Sequence, residues 1–219
     1  MKKEFEKRIL SSLIIIPTAL FFIIKGSVFF TFFLLVFFLV TSYEWFKMNK
    51  KNSLKLLGII YLLIITCCGY LLRENFGVNI FIFIIIICIF TDIGGYVFGK
   101  IFKGPKLIKV SPNKTYSGMI GSFVLSVIAG SVYTQFQSSF TLFEVTIFLK
   151  NELLYILLIL FISAISQIGD LIISYFKRVA KVKDTGKIIP GHGGLLDRID
   201  GMIFAFPSSY LILSTNLFL

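Results

Sequence analysis

The chain has 219 residues, of which 57% are hydrophobic and 26 are phenylalanine, and its mean hydropathy is +0.92. This composition excludes a water-soluble globular protein, whose core needs far less apolar sequence. The 22 lysines and arginines exceed the 11 acids, giving a formal net charge of +11 that must fall between the apolar segments. The three cysteines lie within apolar runs and form no CxxC repeat, so we predict neither disulfides nor a zinc site.

Seven apolar segments approach the roughly 20 residues that a helix needs to cross a bilayer core about 30 Å thick. In chain order they are residues 9–24, 27–43, 56–72, 77–99, 119–133, 153–176 and 202–219. The first follows four basic residues, as in a signal peptide, but Pro17 and the lack of a small-x-small cleavage site favour a retained span. Residues 140–149 are too few to span, and we interpret them as an interfacial helix.

The basic residues alternate between the loops that connect these segments. Counted from the N-terminus, the loops contain 4, 1, 4, 1, 5, 1 and 6 lysines and arginines. Because cytoplasmic loops retain positive charge, the N-terminus is predicted to be cytoplasmic and the C-terminus outside. The sequence therefore predicts an all-α, polytopic integral membrane protein with about seven transmembrane helices. Residues 1–90 form an N-terminal membrane region, and residues 91–219 a catalytic membrane region with two cytoplasmic loops, 99–118 and 177–200.

Two acids lie inside apolar segments, where an unpaired carboxylate costs several kcal/mol. Asp92 precedes Lys100 by eight residues, and Asp170 precedes Lys177 by seven. Under the predicted topology both helices run inward, so each carboxylate lies about 10–12 Å along its helix from the cytoplasmic end. We predict that they lie at matching depth in the membrane.

Polar or small residues accompany both acids. Those on the helix of Asp170 can share one face with it and are Ser163, Ser166, Gln167 and Ser174. Those near Asp92 are Thr91, Gly94, Gly95, Tyr96 and Gly99. Small residues permit close helix approach or access of a ligand to the backbone. The alternative is that both sets serve helix packing alone, although packing requires no carboxylate.

The loop of residues 99–118 contains five lysines and no acid, a composition that suits polyanions. At its centre Ser111-Pro112-Asn113-Lys114-Thr115 precedes an apolar helix, an arrangement appropriate for phosphate oxygens near a helix N-terminus. The alternative is a positive-inside loop that attracts anionic lipid head groups.

The loop of residues 177–200 is more specific, because it combines six basic residues, three acids and the one histidine of the chain. The run Pro190-Gly191-His192-Gly193-Gly194 cannot form regular helix, and its glycines allow backbone N–H groups to approach a ligand closely. Asp197 and Asp200 would share one face of a helix that starts there. His192 is assigned either a hydrogen bond to phosphate or a structural bond within the turn.

Acids spaced to hold a divalent cation and surrounded by basic residues are the parts that phosphoryl or nucleotidyl transfer requires. Mg²⁺ suits such hard oxygen ligands. The sequence therefore favours a metal-dependent enzyme acting on phosphates. Nucleic acid is not predicted as a partner, since the positive charge is explained by topology.

These motifs resemble those of the phosphatidate cytidylyltransferases, also called CDP-diglyceride synthetases. The stretch from Ser174 to Asp200 matches the family signature, and Ser111 to Gly118 resembles its Ser-Pro-Lys-Lys-Thr-x-Glu-Gly element. The residues around Asp92 and the Gly169-Asp170-Leu171 triplet resemble two further elements. The resemblance covers residues 91–201. Asn113 and Ser117 depart from the family pattern, where lysine and glutamate stand, so the nucleotide loop of this chain lacks that charge pair.

The resemblance implies a membrane enzyme that joins CTP and phosphatidate to give CDP-diacylglycerol and pyrophosphate, with Mg²⁺ in the active site and K⁺ implicated beside it. The metal-binding carboxylates implied are Asp170 and Asp197, with Asp200 and Asp92 supporting. The catalytic group is completed by Lys177 and Arg198. The residues implied in substrate binding are Ser111, Lys114, Thr115, Arg178, Lys183, His192, Gly193 and Gly194.

Rival interpretations come from other classes. A multispan cation-coupled transporter could use Asp92 and Asp170 but does not need a Gly-His-Gly-Gly turn flanked by Asp-Arg-x-Asp. A CDP-alcohol phosphatidyltransferase would carry an Asp-Gly-x-x-Ala-Arg element, which is absent. A lipid-binding scaffold would not need the acids. The predicted location is a bacterial inner membrane, as a multi-pass protein, with homodimerisation left open.

Overall fold

The computed structural model describes residues 2–108, 111–139, 152–191 and 193–215, which are mainly helical. The helices are α1 (Lys2–Lys25), α2 (Ser27–Met48), α3 (Asn52–Phe102), α4 (Tyr116–Ser139), α5 (Glu152–Val179) and α6 (Met202–Leu213). Strands β1 (Lys106–Ile108) and β2 (Ser111–Thr115) form an antiparallel pair, and a 3₁₀ turn covers Leu196–Arg198. The predicted interfacial helix at 140–149 and His192 lie outside the described residues.

Five helices of the described chain, α1 to α5, are long and apolar enough to cross a membrane. The 51-residue α3 contains two of the predicted segments, and Gly77 interrupts it with φ 83° and ψ 166°, a conformation open essentially to glycine alone. The last predicted segment corresponds to α6, which has 12 residues. The helical membrane class is confirmed, while the count of seven, the orientation and the cytoplasmic active site stay predictions.

The chain divides into two compact units. The first consists of Met1–Tyr70 and Phe176–Asp200, and the second of Leu71–Tyr175 and Gly201–Leu219. Each unit therefore combines an earlier and a later part of the sequence. The predicted boundary at residue 90 stays a prediction.

In the first unit, Trp45 fixes the C-terminal end of α2. Its ring is 6% exposed, lies 5.2 Å from the ring of Phe176 between centroids, and donates a hydrogen bond from Nε1 to the Leu54 carbonyl at 2.9 Å. A Cβ on Gly58 would lie 1.8 Å from Nε1, so glycine is required where the indole packs. The face of α2 that contains Trp45 is thus buried against neighbouring backbone.

In the second unit, α3 and α4 cross closely through glycine. A Cβ on Gly94 would lie 2.5 Å from the Gly121 carbonyl oxygen, and one on Gly118 would lie 2.6 Å from the Gly95 oxygen. Thr91 connects α3 to both α4 and α5. Its carbonyl accepts a hydrogen bond from the Ser122 hydroxyl of α4 at 2.7 Å, and its own hydroxyl donates to Ser163 of α5 at 2.8 Å. The small residues near Asp92 therefore serve helix packing, as one of the two interpretations expected.

We expect Gly94→Ala to destabilise this crossing. The added methyl group meets backbone rather than a movable side chain, and overpacking of this kind costs about 1–3 kcal/mol. The measurement is the thermal unfolding midpoint in detergent, with Ile93→Val as the control because Ile93 is 42% exposed. A wild-type midpoint for Gly94→Ala would contradict the close crossing.

Candidate active site

The second unit contains a cleft of about 290 Å³ that brings together two predicted site elements. Asp92 of α3 and Asp170 of α5 both line it, together with the β2 residues Ser111, Lys114 and Thr115. These five positions are separated by up to 78 residues in the sequence, yet the fold places them on one surface. Its volume is close to the lower end of the range of about 300–1,000 Å³ that is usual for small-molecule sites.

Asp170 has two side-chain partners beside this cleft. Its Oδ2 forms an ion pair with Nζ of Lys114, and its Oδ1 accepts a hydrogen bond from Ser174 at 3.3 Å. The two side chains of the ion pair are 27% and 23% exposed, so they remain accessible to a ligand in the cleft. The predicted polar face of α5 is confirmed, since Ser163 and Ser166 are fully buried and Gln167 lines the cleft beside Asp170.

The hairpin that carries Lys114 is closed by hydroxyl groups. Thr115 caps α4, accepting from the Gly118 N–H at 3.1 Å, which satisfies one of the unpaired donors of the first helical turn. Ser117 donates to the Lys103 carbonyl and lies 3.0 Å from the Thr115 hydroxyl. Ser117, at a position where the family pattern has glutamate, therefore serves to close the loop.

The oxygen donors of the cleft fit Mg²⁺. Magnesium is commonly bound through one or two carboxylates, with substrate phosphates and water completing its shell, rather than by an all-protein cage. Asp92 and Asp170 supply two carboxylates, and Lys114 already places a cation against one of them. Among the described residues no group of three His, Cys, Asp or Glu side chains could hold a metal.

In the first unit, the loop of residues 177–200 is organised around Asp197. Its Oδ1 accepts from Nζ of Lys177 at 3.0 Å, while Oδ2 accepts from the N–H groups of Thr185 at 2.8 Å and Gly194 at 3.0 Å. Asp200 Oδ2 lies 4.0 Å from the same Lys177 nitrogen. The two acids thus face one ammonium group, and their role as metal ligands stays a prediction.

The residues on either side of position 192 pair with each other. The Ile189 N–H donates to the Gly193 carbonyl at 2.9 Å, and Gly193 adopts φ 89°, which favours glycine. Helix α1 supports the turn, because Arg8 Nε donates to the Gly191 carbonyl at 2.8 Å and the Ser11 hydroxyl lies 3.2 Å from the Pro190 carbonyl. The carbonyl groups of the turn are thereby held by the N-terminal helix.

The remaining predicted binding residues of this loop are exposed. They are Arg178, Lys183 and Arg198. Arg178 lies 3.4 Å from the Val182 carbonyl through one guanidinium nitrogen, which leaves most of its five donors for other partners. Their exposure is compatible with phosphate binding, and their roles stay predictions.

Sequence reasoning missed Glu44 on α2. This acid is 1% exposed and accepts hydrogen bonds from the N–H groups of Leu195 at 2.9 Å and Leu196 at 2.8 Å. The signal was available, because Glu44 lies three residues after Thr41 and four before Met48, so the three share a helix face. The apolar segment predicted from the sequence ends at residue 43, which leaves Glu44 in the following loop.

The comparison with known proteins decides the family. The sequence profile of the cytidylyltransferase family matches residues 50–216, most of the chain. The chain belongs to the cytidylyltransferase family. The match includes all the cleft residues named above, and the resemblance inferred from the motifs is confirmed.

Several relatives within this family are named phosphatidate cytidylyltransferase. The protein of Rickettsia felis is 32% identical over 216 residues, covering 96% of this chain and 93% of its own length. Those of Staphylococcus haemolyticus and Bacillus subtilis are 34% and 36% identical, and the alignments cover 80% and 64% of this chain. The chain spans 66% of the staphylococcal relative and 49% of the Bacillus one.

Proposed function

We propose that this protein is a phosphatidate cytidylyltransferase, which transfers CMP from CTP to phosphatidate and releases pyrophosphate. The observation that carries the proposal is the cleft in which Asp92, Asp170 and Lys114 meet inside the region shared with the family. The similarity to the Rickettsia relative over nearly the whole of both chains supports the same conclusion.

The chemistry requires positioning and charge neutralisation more than proton transfer. The phosphate monoester of phosphatidate is anionic at neutral pH, so its attack on the α-phosphorus of CTP needs no strong general base. Lys114, released from Asp170, would contact the nucleotide phosphates and counter the charge that develops on pyrophosphate. Asp92 and Asp170 would hold Mg²⁺, which when bound neutralises phosphate charge.

The proposed location is the bacterial inner membrane, with the cleft open to the cytoplasm. Five long apolar helices support a membrane protein, and nineteen of the 22 basic residues fall in the loops assigned to the inner side. CTP would then enter from the cytoplasm, while phosphatidate would approach laterally from the lipid.

The test is transfer of label from α-labelled CTP to lipid by purified protein in phosphatidate-containing micelles. We expect labelled lipid with Mg²⁺ and none after EDTA. Phosphatidylglycerol is the matched control lipid, because its phosphodiester lacks the attacking monoester oxygen. No labelled lipid from folded protein, or equal labelling of both lipids, would contradict the proposal.

A separate prediction concerns Lys114→Met. Loss of the ammonium group should raise the KM for CTP by about tenfold, since a charged hydrogen bond to phosphate contributes about 1.5–3 kcal/mol. Steady-state kinetics with varied CTP measure this, and Lys51→Met serves as a charge-matched control at an exposed position between α2 and α3. Equal KM values for the two variants would exclude Lys114 from nucleotide binding.

A further inference from the structure

The carboxylate of Glu44 is buried against neutral donors. Its Oε1 accepts from the Leu195 N–H, and its Oε2 accepts from the Leu196 N–H and lies 3.3 Å from the Thr185 hydroxyl. A carboxylate that is 1% exposed is costly to keep unless hydrogen bonds replace its hydration. Charge-assisted bonds of this kind are about twice as strong as neutral ones and fix geometry closely.

Two acids divide the backbone donors of one loop between them. Glu44 takes the N–H groups of Leu195 and Leu196, and Asp197 takes those of Gly194 and Thr185. Residues 194 and 195 lead into the 3₁₀ turn of Leu196–Arg198, and the first N–H groups of such a turn have no partner within it. Because Asp197 lies in that turn, fixing the Leu195 and Leu196 amides also fixes the backbone that carries Asp197.

The loop is shaped to admit this carboxylate. A Cβ on Gly186 would lie 2.7 Å from Glu44 Oε1, and a Cβ on Gly194 would lie 2.7 Å from Oε2. Both glycines therefore stand where any side chain would displace the acid. Gly194, one of the glycines predicted to let a ligand approach, lies against Glu44 in this structure, and its role in substrate binding stays a prediction.

We propose that Glu44 is a positioning residue of the transferase, acting through the loop that carries Asp197 and Arg198. Glu44 itself touches neither substrate nor metal. The carboxylate holds the backbone of residues 185–196 so that the side chains of the following turn have one orientation. The kinetic part of this inference rests on the proposed function, whereas the structural part does not.

The experiment compares three variants with the wild-type protein in detergent. Glu44→Gln keeps the size but presents an amide NH₂ to a backbone N–H, so one of the two backbone bonds is lost. Gly186→Ala keeps the acid but pushes it away, and Gly186 does not have a positive φ, so alanine is compatible with its backbone. Thr41→Val is the control, because Thr41 is a buried residue one turn earlier whose hydroxyl donates, within the described part of the chain, to carbonyls of its own helix.

Two readouts are needed. Hydrogen exchange of peptides covering residues 193–198 should show lost protection in Glu44→Gln and Gly186→Ala, and wild-type protection in Thr41→Val. The KM for CTP should rise about tenfold in the first two, the size of effect seen when supporting residues of an active site are removed. A smaller folded fraction alone would lower kcat without changing KM, so the KM separates positioning from simple destabilisation.

The outcomes are separable. Wild-type amide protection in Glu44→Gln, or lost protection with an unchanged KM in both Glu44→Gln and Gly186→Ala, overturns the positioning role. If Glu44→Gln does not fold, Gly186→Ala alone decides by the same two readouts. If wild-type protein transfers no CMP at all, the proposed function fails, and the exchange data then decide whether Glu44 holds the loop.

Discussion

Replacing Asp170 with asparagine is expected to lower the rate of CMP transfer by about a hundredfold or more while the protein remains folded in the membrane. Asparagine keeps the size of the side chain but removes the charge that both Lys114 and a divalent cation require. The side chain is 23% exposed and lies at the cleft, so its replacement leaves no deeply buried charge unpaired. The measurement is the Mg²⁺-dependent rate with purified protein of known folded fraction.

The matched control for this change is Ser174→Ala. It removes the hydroxyl that donates to Asp170 Oδ1 at 3.3 Å but keeps the carboxylate. We expect a change in rate of about threefold or less, because a long neutral-donor bond contributes little. Near-normal rates for Asp170→Asn would remove Asp170 from the catalytic group.

The second large effect is expected from Asp197→Asn, and it is an effect on stability. The side chains of Lys177 and Asp197 are 11% and 6% exposed, so the variant leaves a nearly buried ammonium group without its closest carboxylate. Breaking a buried pair in this way costs about 3–5 kcal/mol. Asparagine has a single accepting oxygen, so its NH₂ group must face either the Lys177 ammonium group or the N–H groups of Thr185 and Gly194, which both donate to Oδ2.

Denaturant titration of the variant in detergent measures this cost. The double variant Lys177→Met with Asp197→Asn should recover part of the lost stability, since it removes the uncompensated charge. If Asp197→Asn alone unfolds at the wild-type midpoint, the pair does not hold the loop. Additive losses in the double variant would show that the two side chains are not coupled.

The sequence singled out two acids within apolar segments, and the structure places both in one cleft, while their roles stay predictions. Charge in an apolar helix is expensive, so Asp92 and Asp170 stood out without any structure, and the cleft contains both. The polar face of α5 followed from helical periodicity in the same way. The approximate positions of the helices were also predictable from the apolar runs between the lysines, but their ends were not, since α1 starts at Lys2 and α2 continues to Met48.

The contacts that hold the site were not predictable from the sequence. Glu44 binds backbone N–H groups about 150 residues later in the chain, and backbone donors have no sequence signal. The β1–β2 hairpin was predicted only as a basic loop, because its strands have three and five residues, too few for a periodic pattern. The pairing of Lys114 with Asp170 likewise depends on how that hairpin folds over the cleft.

The proposed reaction transfers a nucleotidyl group, rather than a phosphoryl group, to phosphatidate at the cleft of Asp170. Parallel reactions with CTP labelled at the α-phosphate or at the γ-phosphate test it directly. We expect α-label in the lipid fraction and γ-label released as pyrophosphate, both dependent on Mg²⁺ and lost in Asp170→Asn. Transfer of γ-label to lipid, or no α-labelled lipid from folded wild-type protein, would contradict it.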